Sequence, residues 1–316
     1  MKIRYLFTAF RLFNSILEVK PMMTGCYNWI RVFNGDAKNY CELSDEDLEK
    51  YDVIMVNLDG QDSRLVPDLR NRLGNSSSTK IVVNQDYSPE VMPSGFDQYV
   101  DLKNAIMLAD RVFVTTPACQ KEFEFIAEGK KTIYLIPHPC ETHVLKKFNS
   151  FIENDWIVNY FHRYYVDCFT PYLILKDLKK EFGLVGYIES SDKFSRRTKS
   201  VFKRIVNYLP FPDILKLMKE ARLHLFIPFS YTWGRIPLDV ACMNRPLVAS
   251  KHIWSAQILY PLTLVDPFDV QKARELLIKL DQDDAFYSEV CNIAYYNVEF
   301  FGHKLSRERF LSMLEN

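Results

Sequence analysis

Two α/β domains in tandem, each a parallel sheet covered by helices, are what the sequence predicts, and three observations carry that expectation. Short apolar, β-branched runs alternate with helical patterns from one end of the chain to the other, which is how sheets buried on both faces read in sequence. The 316 residues are enough for two cores of ordinary size. The alternation breaks once, at Pro137-His138-Pro139-Cys140 and the polar stretch behind it, and then begins again.

The first series places strands at 3–7, 53–58, 80–84, 112–115 and 132–136, with helices between them. The clearest helix covers 117–127: Thr116 or Thr115 can cap it, Pro117 suits its first turn and Gly129 stops it. The second series places strands at 156–161, 184–188, 204–208, 223–227, 246–249 and 262–265. Helices are expected at 171–180, 213–221 and 236–243, with a short segment at 256–260. From Asp266 the pattern is helical, with helices at 270–280, 285–300 and 306–314. The expected organisation is a Rossmann-like domain over 1–150, a second over 151–295, and a last helical segment over 296–316.

Forty basic residues balance forty acidic ones, so no overall positive field is available for nucleic acid, and none is expected as a partner. The seven cysteines, Cys26, Cys41, Cys119, Cys140, Cys168, Cys242 and Cys291, are scattered without CxxC or Cys/His ligand spacing and read as reduced thiols. The first residues carry Lys2, Arg4 and Arg11, too much charge for a signal-peptide core, and no run approaches the roughly 18 apolar residues of a membrane helix. A cytoplasmic location follows as an expectation, with peripheral membrane contact left open. There is no GxGxxG after the first strand, no nucleophile elbow and no Walker loop, which weighs against dehydrogenase, hydrolase and NTPase readings.

The informative stretch runs from Leu209 to Ser250. Ala221-Arg222-Leu223-His224-Leu225-Phe226-Ile227-Pro228-Phe229-Ser230 leads into Tyr231-Thr232-Trp233-Gly234, and Asp239-Val240-Ala241-Cys242-Met243-Asn244-Arg245-Pro246-Leu247-Val248-Ala249-Ser250 follows. It resembles the C-terminal lobe of glycosyltransferase family 4 (group 1) of the GT-B fold. There Glu-Gly-Phe-Gly precedes a helix carrying a second Glu, spaced as Asp239 stands eight positions after Tyr231 here. Ala109-Asp110-Arg111-Val112-Phe113-Val114-Thr115-Thr116, Ile136-Pro137-His138-Pro139 and the stretch from Trp156 to Arg163 resemble neighbouring family segments, so the likeness covers about 100–280. It implies the GT-B fold, a final helix that returns to the first lobe so that the two lobes close as a hinged pair, and transfer of a sugar from a nucleotide-sugar donor with retention.

The resemblance assigns residues. Tyr231 stands where the family has its first Glu, Trp233 at the Phe, Gly234 at the second Gly and Asp239 at the second Glu, which meets the donor's ribose. Trp233, Gly234 and Arg235 precede a helix whose amides suit a diphosphate, and Ser230 and His162 join the donor-binding set. Arg163 matches the family's phosphate-holding Arg, but Cys168 replaces the Lys five residues later. Arg235, His162 or the cluster Lys193, Arg196, Arg197 and Lys199 can supply the missing charge. Asp86, after the strand at 80–84, is the candidate for acceptor orientation or a general base, with Gln85 in place of the family's His.

Each assignment has a plainer reading: turn chemistry for Gly234, a surface i,i+4 pair with Arg235 for Asp239, an Asx turn before Pro89 for Asp86, a structural turn for His138 and a solvated face for the cationic cluster. No cofactor and no metal are expected. The acceptor is open among glycan, lipid, protein and small molecule. A catalytically degenerate GT-B protein that binds nucleotide or glycan, or serves as a scaffold, is the alternative, since Tyr231 and Cys168 depart from the motif. A sugar-nucleotide epimerase is a third reading.

Overall fold

The computed structural model describes residues 3–10, 12, 25–58, 60–74, 77–85, 96–149, 154–160, 169–176, 178, 181–185, 204–206 and 211–316. Contacts divide the chain into two compact units: residues up to Glu141 together with Phe300–Asn316, and Thr142–Glu299.

The first unit is built on a parallel sheet of β1 (Tyr5–Ala9), β2 (Asp36–Asn39), β3 (Val53–Asn57), β4 (Lys80–Gln85), β5 (Arg111–Val114) and β6 (Ile133–Leu135), in the order β2-β1-β3-β4-β5-β6. Alternation along the strands splits the core between two faces. Ile54, Val56, Ile81, Val83, Val112 and Val114 pack with residues of helices Leu65–Leu73, Phe96–Leu108 and Pro117–Ile126. Tyr5, Phe7, Val53, Met55, Val82 and Phe113 pack with helix Asn28–Phe33 and the C-terminal helix His303–Glu315.

Phe310 anchors that last helix, its ring centroid 4.9 Å from both Trp29 and Phe33. The helix's closing carbonyls are taken up by basic side chains at the starts of β4 and β5: Lys80 Nζ donates to Leu314 at 2.6 Å and Arg111 Nε to Met313 at 2.8 Å. The C-terminal helical segment therefore returns to the first unit. The 117–126 helix is capped as expected, Thr116 accepting from the Cys119 amide at 3.2 Å. β2 is a strand the sequence did not announce, because Asp-Ala-Lys-Asn at a sheet edge has no apolar alternation. Gly35 lets it approach, since a Cβ there would lie 2.5 Å from the Tyr5 carbonyl.

The second unit carries β7 (Asn154–Tyr160), β8 (Glu181–Val185), β9 (Arg204–Val206), β10 (Ala221–Phe226), β11 (Leu247–Ser250) and β12 (Leu264–Val265), again all parallel, in the order β12-β11-β10-β7-β8-β9. The chain winds outward from β7 through β8 and β9, then returns beside β7 with β10 and winds the other way, which is the dinucleotide-fold order. β8 sits three residues earlier than 184–188, because Glu181 and Gly183, poor strand residues by composition, pair with Trp156 and Val158. Asp269 and Asp283 cap the helices Val270–Gln282 and Asp284–Asn297 through the amides of Lys272 and Phe286, each at 2.9 Å.

Candidate functional site

Parallel sheets bind ligands beyond the carboxyl ends of their strands, where the strand order turns round. In the second unit that point lies between β7 and β10. β10 feeds the segment with Ser230, Tyr231, Trp233, Gly234 and Arg235, and Asp239 lies on the following helix, Ile236–Cys242. β7 ends at Tyr160, and His162 and Arg163 follow it in sequence. His162, Arg163, Cys168 and the 193–199 cationic cluster lie outside the described residues.

The 229–234 segment is tied to the loop after β11. Thr232 N–H donates to the His252 carbonyl at 3.2 Å, Trp254 N–H to Thr232 at 2.9 Å and Ser255 N–H to Trp233 at 2.9 Å. Ser255 Oγ donates to the Gly234 carbonyl at 2.6 Å. Gly234 has φ +80°, and a Cβ there would lie 2.1 Å from Ile253 Cγ2; the position demands glycine for both backbone and space. Trp233 is 7% exposed.

Arg235 Nε meets Asp239 Oδ1 at 2.6 Å, with side chains 14% and 3% exposed. The i,i+4 pair anticipated as a plain alternative therefore exists, but buried instead of on the surface. Burial raises the Asp239 carboxyl from its ordinary 3.8 to about 6, against the pull of Arg235. Tyr160 lies within electrostatic reach: burial first, then Asp239, pushes its hydroxyl pKa well above the ordinary value, so the group keeps its proton. That hydroxyl sits 2.6 Å from His224 Nδ1, and burial drives the His224 imidazole down to about 3, leaving it neutral. The seven-residue helix has Pro237 in its first turn, and the Leu238 and Asp239 amides bond back to the Arg235 carbonyl.

Ser230 is 6% exposed, and its Oγ has no hydrogen-bond partner among the described residues. Tyr231 is 45% exposed and stacks on His252, centroids 4.3 Å apart and planes at 20°. His252 Nδ1 lies 2.6 Å from the Phe229 carbonyl. Sequence reasoning missed His252, Tyr160 and His224. A histidine two residues after the strand ending Val248-Ala249-Ser250 was the available signal for the first; the buried pair had none.

In the first unit the order turns between β1 and β3. Asn57 ends β3 and Gln85 ends β4. Gln85 is fully buried, yet neither of its amide atoms, nor Asn57 Oδ1, has a hydrogen-bond partner among the described residues. Asp86 follows Gln85 but lies outside the described residues. His138 is fully buried and accepts from Trp29 Nε1 at 3.2 Å, with its imidazole driven down to about 3 by burial, a structural histidine. Among the described residues the six cysteines are free, no three His, Cys, Asp or Glu side chains gather as metal ligands, and no helix is long and apolar enough to cross a membrane.

No protein-family model matches the chain, and no curated protein sequence matches it. Solved structures do. A trehalose-6-phosphate protein of E. coli bound to UDP-2-fluoro glucose superposes with a TM-score of 0.74 at 10% identity, covering 99% of both chains. The Anabaena protein HepE in complex with UDP gives 0.71 at 13% identity, covering 100% of both. A UDP-forming α,α-trehalose-phosphate synthase from Burkholderia xenovorans gives 0.66 at 13% identity, over 87% of this chain and 75% of that one. These neighbours are GT-B glycosyltransferases, and the chain has the GT-B fold.

Proposed function

We propose that the chain is a glycosyltransferase that takes a nucleotide-sugar donor at the β7/β10 switch point of its second unit and passes the sugar to a hydroxyl-bearing acceptor, with retention as the family resemblance implies. The observation that carries this reading is the coincidence of the motif with the turning point of the strand order: the segment Ser230–Asp239 leaves β10 at the ligand-binding end of the sheet.

In this reading Asp239, nine-tenths and more buried, accepts from the donor's ribose diol. Arg235 holds the carboxylate in place. Arg163 and His162, directly after β7, meet the diphosphate, whose negative charge grows as the bond to the sugar stretches. Ser230 Oγ and the backbone around Gly234 complete the donor side. Asp86, next to Gln85, orients the acceptor hydroxyl or takes its proton. The protein acts in the cytoplasm without a resident metal or cofactor, the leaving phosphate being met by side-chain cations and backbone dipoles.

The reading is tested by release of nucleoside diphosphate from UDP-, GDP- and ADP-sugars with a saccharide panel present. Release that needs both donor and acceptor supports transfer. Isomerised sugar from donor alone would indicate an epimerase, and binding with no release would leave the degenerate alternative, for which the absence of a carboxylate at Tyr231 is the specific motive.

A further inference from the structure

Building on the donor-site reading, we propose that Tyr231 and His252 form the seat of the donor's sugar ring, recognising a pyranose by an apolar C–H face and one ring hydroxyl in place of the carboxylate contact that the resembling family uses.

The two residues come from adjacent loops. β10 and β11 pair in register, Phe226 against Ala249, so the segments that follow them leave the sheet side by side at its ligand-binding end. There the Tyr231 ring is covered on one face by His252 at 4.3 Å and is 45% exposed. A tyrosine without a structural task would turn its ring to pack or to water; this one stacks its face on a partner and still keeps nearly half its surface exposed. Such a face attracts the polarised C–H bonds of a sugar, as it does other positive edges.

His252 is fixed as firmly. The Phe229 carbonyl can only accept, so the Nδ1 atom 2.6 Å away carries the proton. In the neutral ring Nε2 is then the acceptor and is directed away from that carbonyl. The His252 amide donates to Ser250 Oγ at 3.1 Å, which fixes the backbone that carries the ring. Between the exposed Phe229 and Tyr231 the buried Ser230 Oγ has no hydrogen-bond partner among the described residues. An unsatisfied buried hydroxyl next in sequence to an exposed aromatic ring is what a hydroxylated ligand would complete. The nearby cation does not compete for the seat, because Lys251 Nζ is held by Asp266 at 2.6 Å.

The seat touches the sugar and not the nucleotide, which separates its test from that of the donor site. Calorimetric titration of the full chain with UDP, GDP and ADP, and with the glucose, galactose and N-acetylglucosamine derivative of each, gives for each pair the affinity increment due to the sugar. Tyr231→Ala is expected to reduce that increment about tenfold, with the nucleoside diphosphate binding as in the parent. Tyr231→Phe keeps the face and is expected to keep the increment. His252→Phe keeps the stack but removes the acceptor, and is expected to cost about tenfold on the sugar alone. If Tyr231→Ala weakens diphosphate and nucleotide-sugar by the same factor, the pair only supports the loop and the seat is wrong. If no diphosphate binds the parent chain, it is the donor-site reading that falls, and the seat falls with it.

Discussion

The carboxyl ends of the two sheets are finished differently. In the second unit the loop after β10 is stitched to the loop after β11 by backbone bonds at Thr232, Trp254 and Ser255, by Ser255 Oγ on Gly234 and by a buried Arg235–Asp239 pair. In the first unit the strand ends present carboxamides, and Asn57 Oδ1 and both amide atoms of Gln85 are buried without a hydrogen-bond partner among the described residues. The first arrangement fixes its backbone and its ion pair before any ligand arrives, although Ser230 Oγ and the Asn159 amide, buried in the same unit, also have no hydrogen-bond partner among the described residues. The second leaves buried polar groups unsatisfied, at a cost in stability that a bound hydroxylated molecule would offset.

The sharpest way to break the stitched end is Gly234→Ala. The positive φ and the 2.1 Å approach of Ile253 Cγ2 act together, and the expected loss is about 3–5 kcal/mol in urea unfolding. Gly74→Ala in the first unit is the control: φ is +68° but no atom lies within 4 Å of the added Cβ, so only the backbone term of about 1 kcal/mol remains. Equal losses at the two positions would mean that the close approach at Gly234 carries no energy.

Next in size is Arg235→Met, which leaves Asp239 buried without its cation. The Asp239 carboxyl is raised from 3.8 to about 6 in the folded chain. The group's contribution to stability is therefore present in full below pH 4 and is lost as pH rises through 6. Removing Arg235 raises the carboxyl further, so the variant is expected to be less stable by about 3 kcal/mol at pH 8 and by much less at pH 5. Urea midpoints at the two pH values test this, and a loss independent of pH would show that Asp239 is not the group left exposed to the change. Asp239→Asn should flatten the slope of stability between pH 4 and 6.

Smallest, and opposite in sign, is Gln85→Met. Exchanging a fully buried, unsatisfied carboxamide for an apolar side chain of similar length should raise stability by about 1–2 kcal/mol. It should also weaken acceptor use if the strand end serves the acceptor, the trade expected where function holds a polar group in place. A destabilised variant would show that the amide is satisfied in solution and would remove the contrast between the two ends.

The layers of this fold were legible because the strands are apolar runs between good helix formers: 53–58, 112–115 and 223–227 fall within two residues of β3, β5 and β10 at either end. β2 escaped because an edge strand of Asp36, Ala37, Lys38 and Asn39 has no buried face to announce it. At the site, Gly234 was legible since a glycine before a helix reports backbone geometry, and the structure adds the crowding by Ile253 and Ser255. The Arg235–Asp239 pair was legible as spacing, but its burial was not, because burial depends on what packs over the helix. His252 was invisible for a different reason: its role comes from β11 lying beside β10, a long-range pairing that local pattern does not contain.

The central claim, that the β7/β10 switch point is a nucleotide-sugar site, is tested most directly by calorimetric titration of the chain and its Asp239→Ala variant with UDP-, GDP- and ADP-sugars. The account predicts saturable binding of one nucleotide class by the parent chain, lost in the variant while the variant remains folded by circular dichroism. Equal binding by both proteins would place the nucleotide elsewhere, and no binding by the parent would contradict the account.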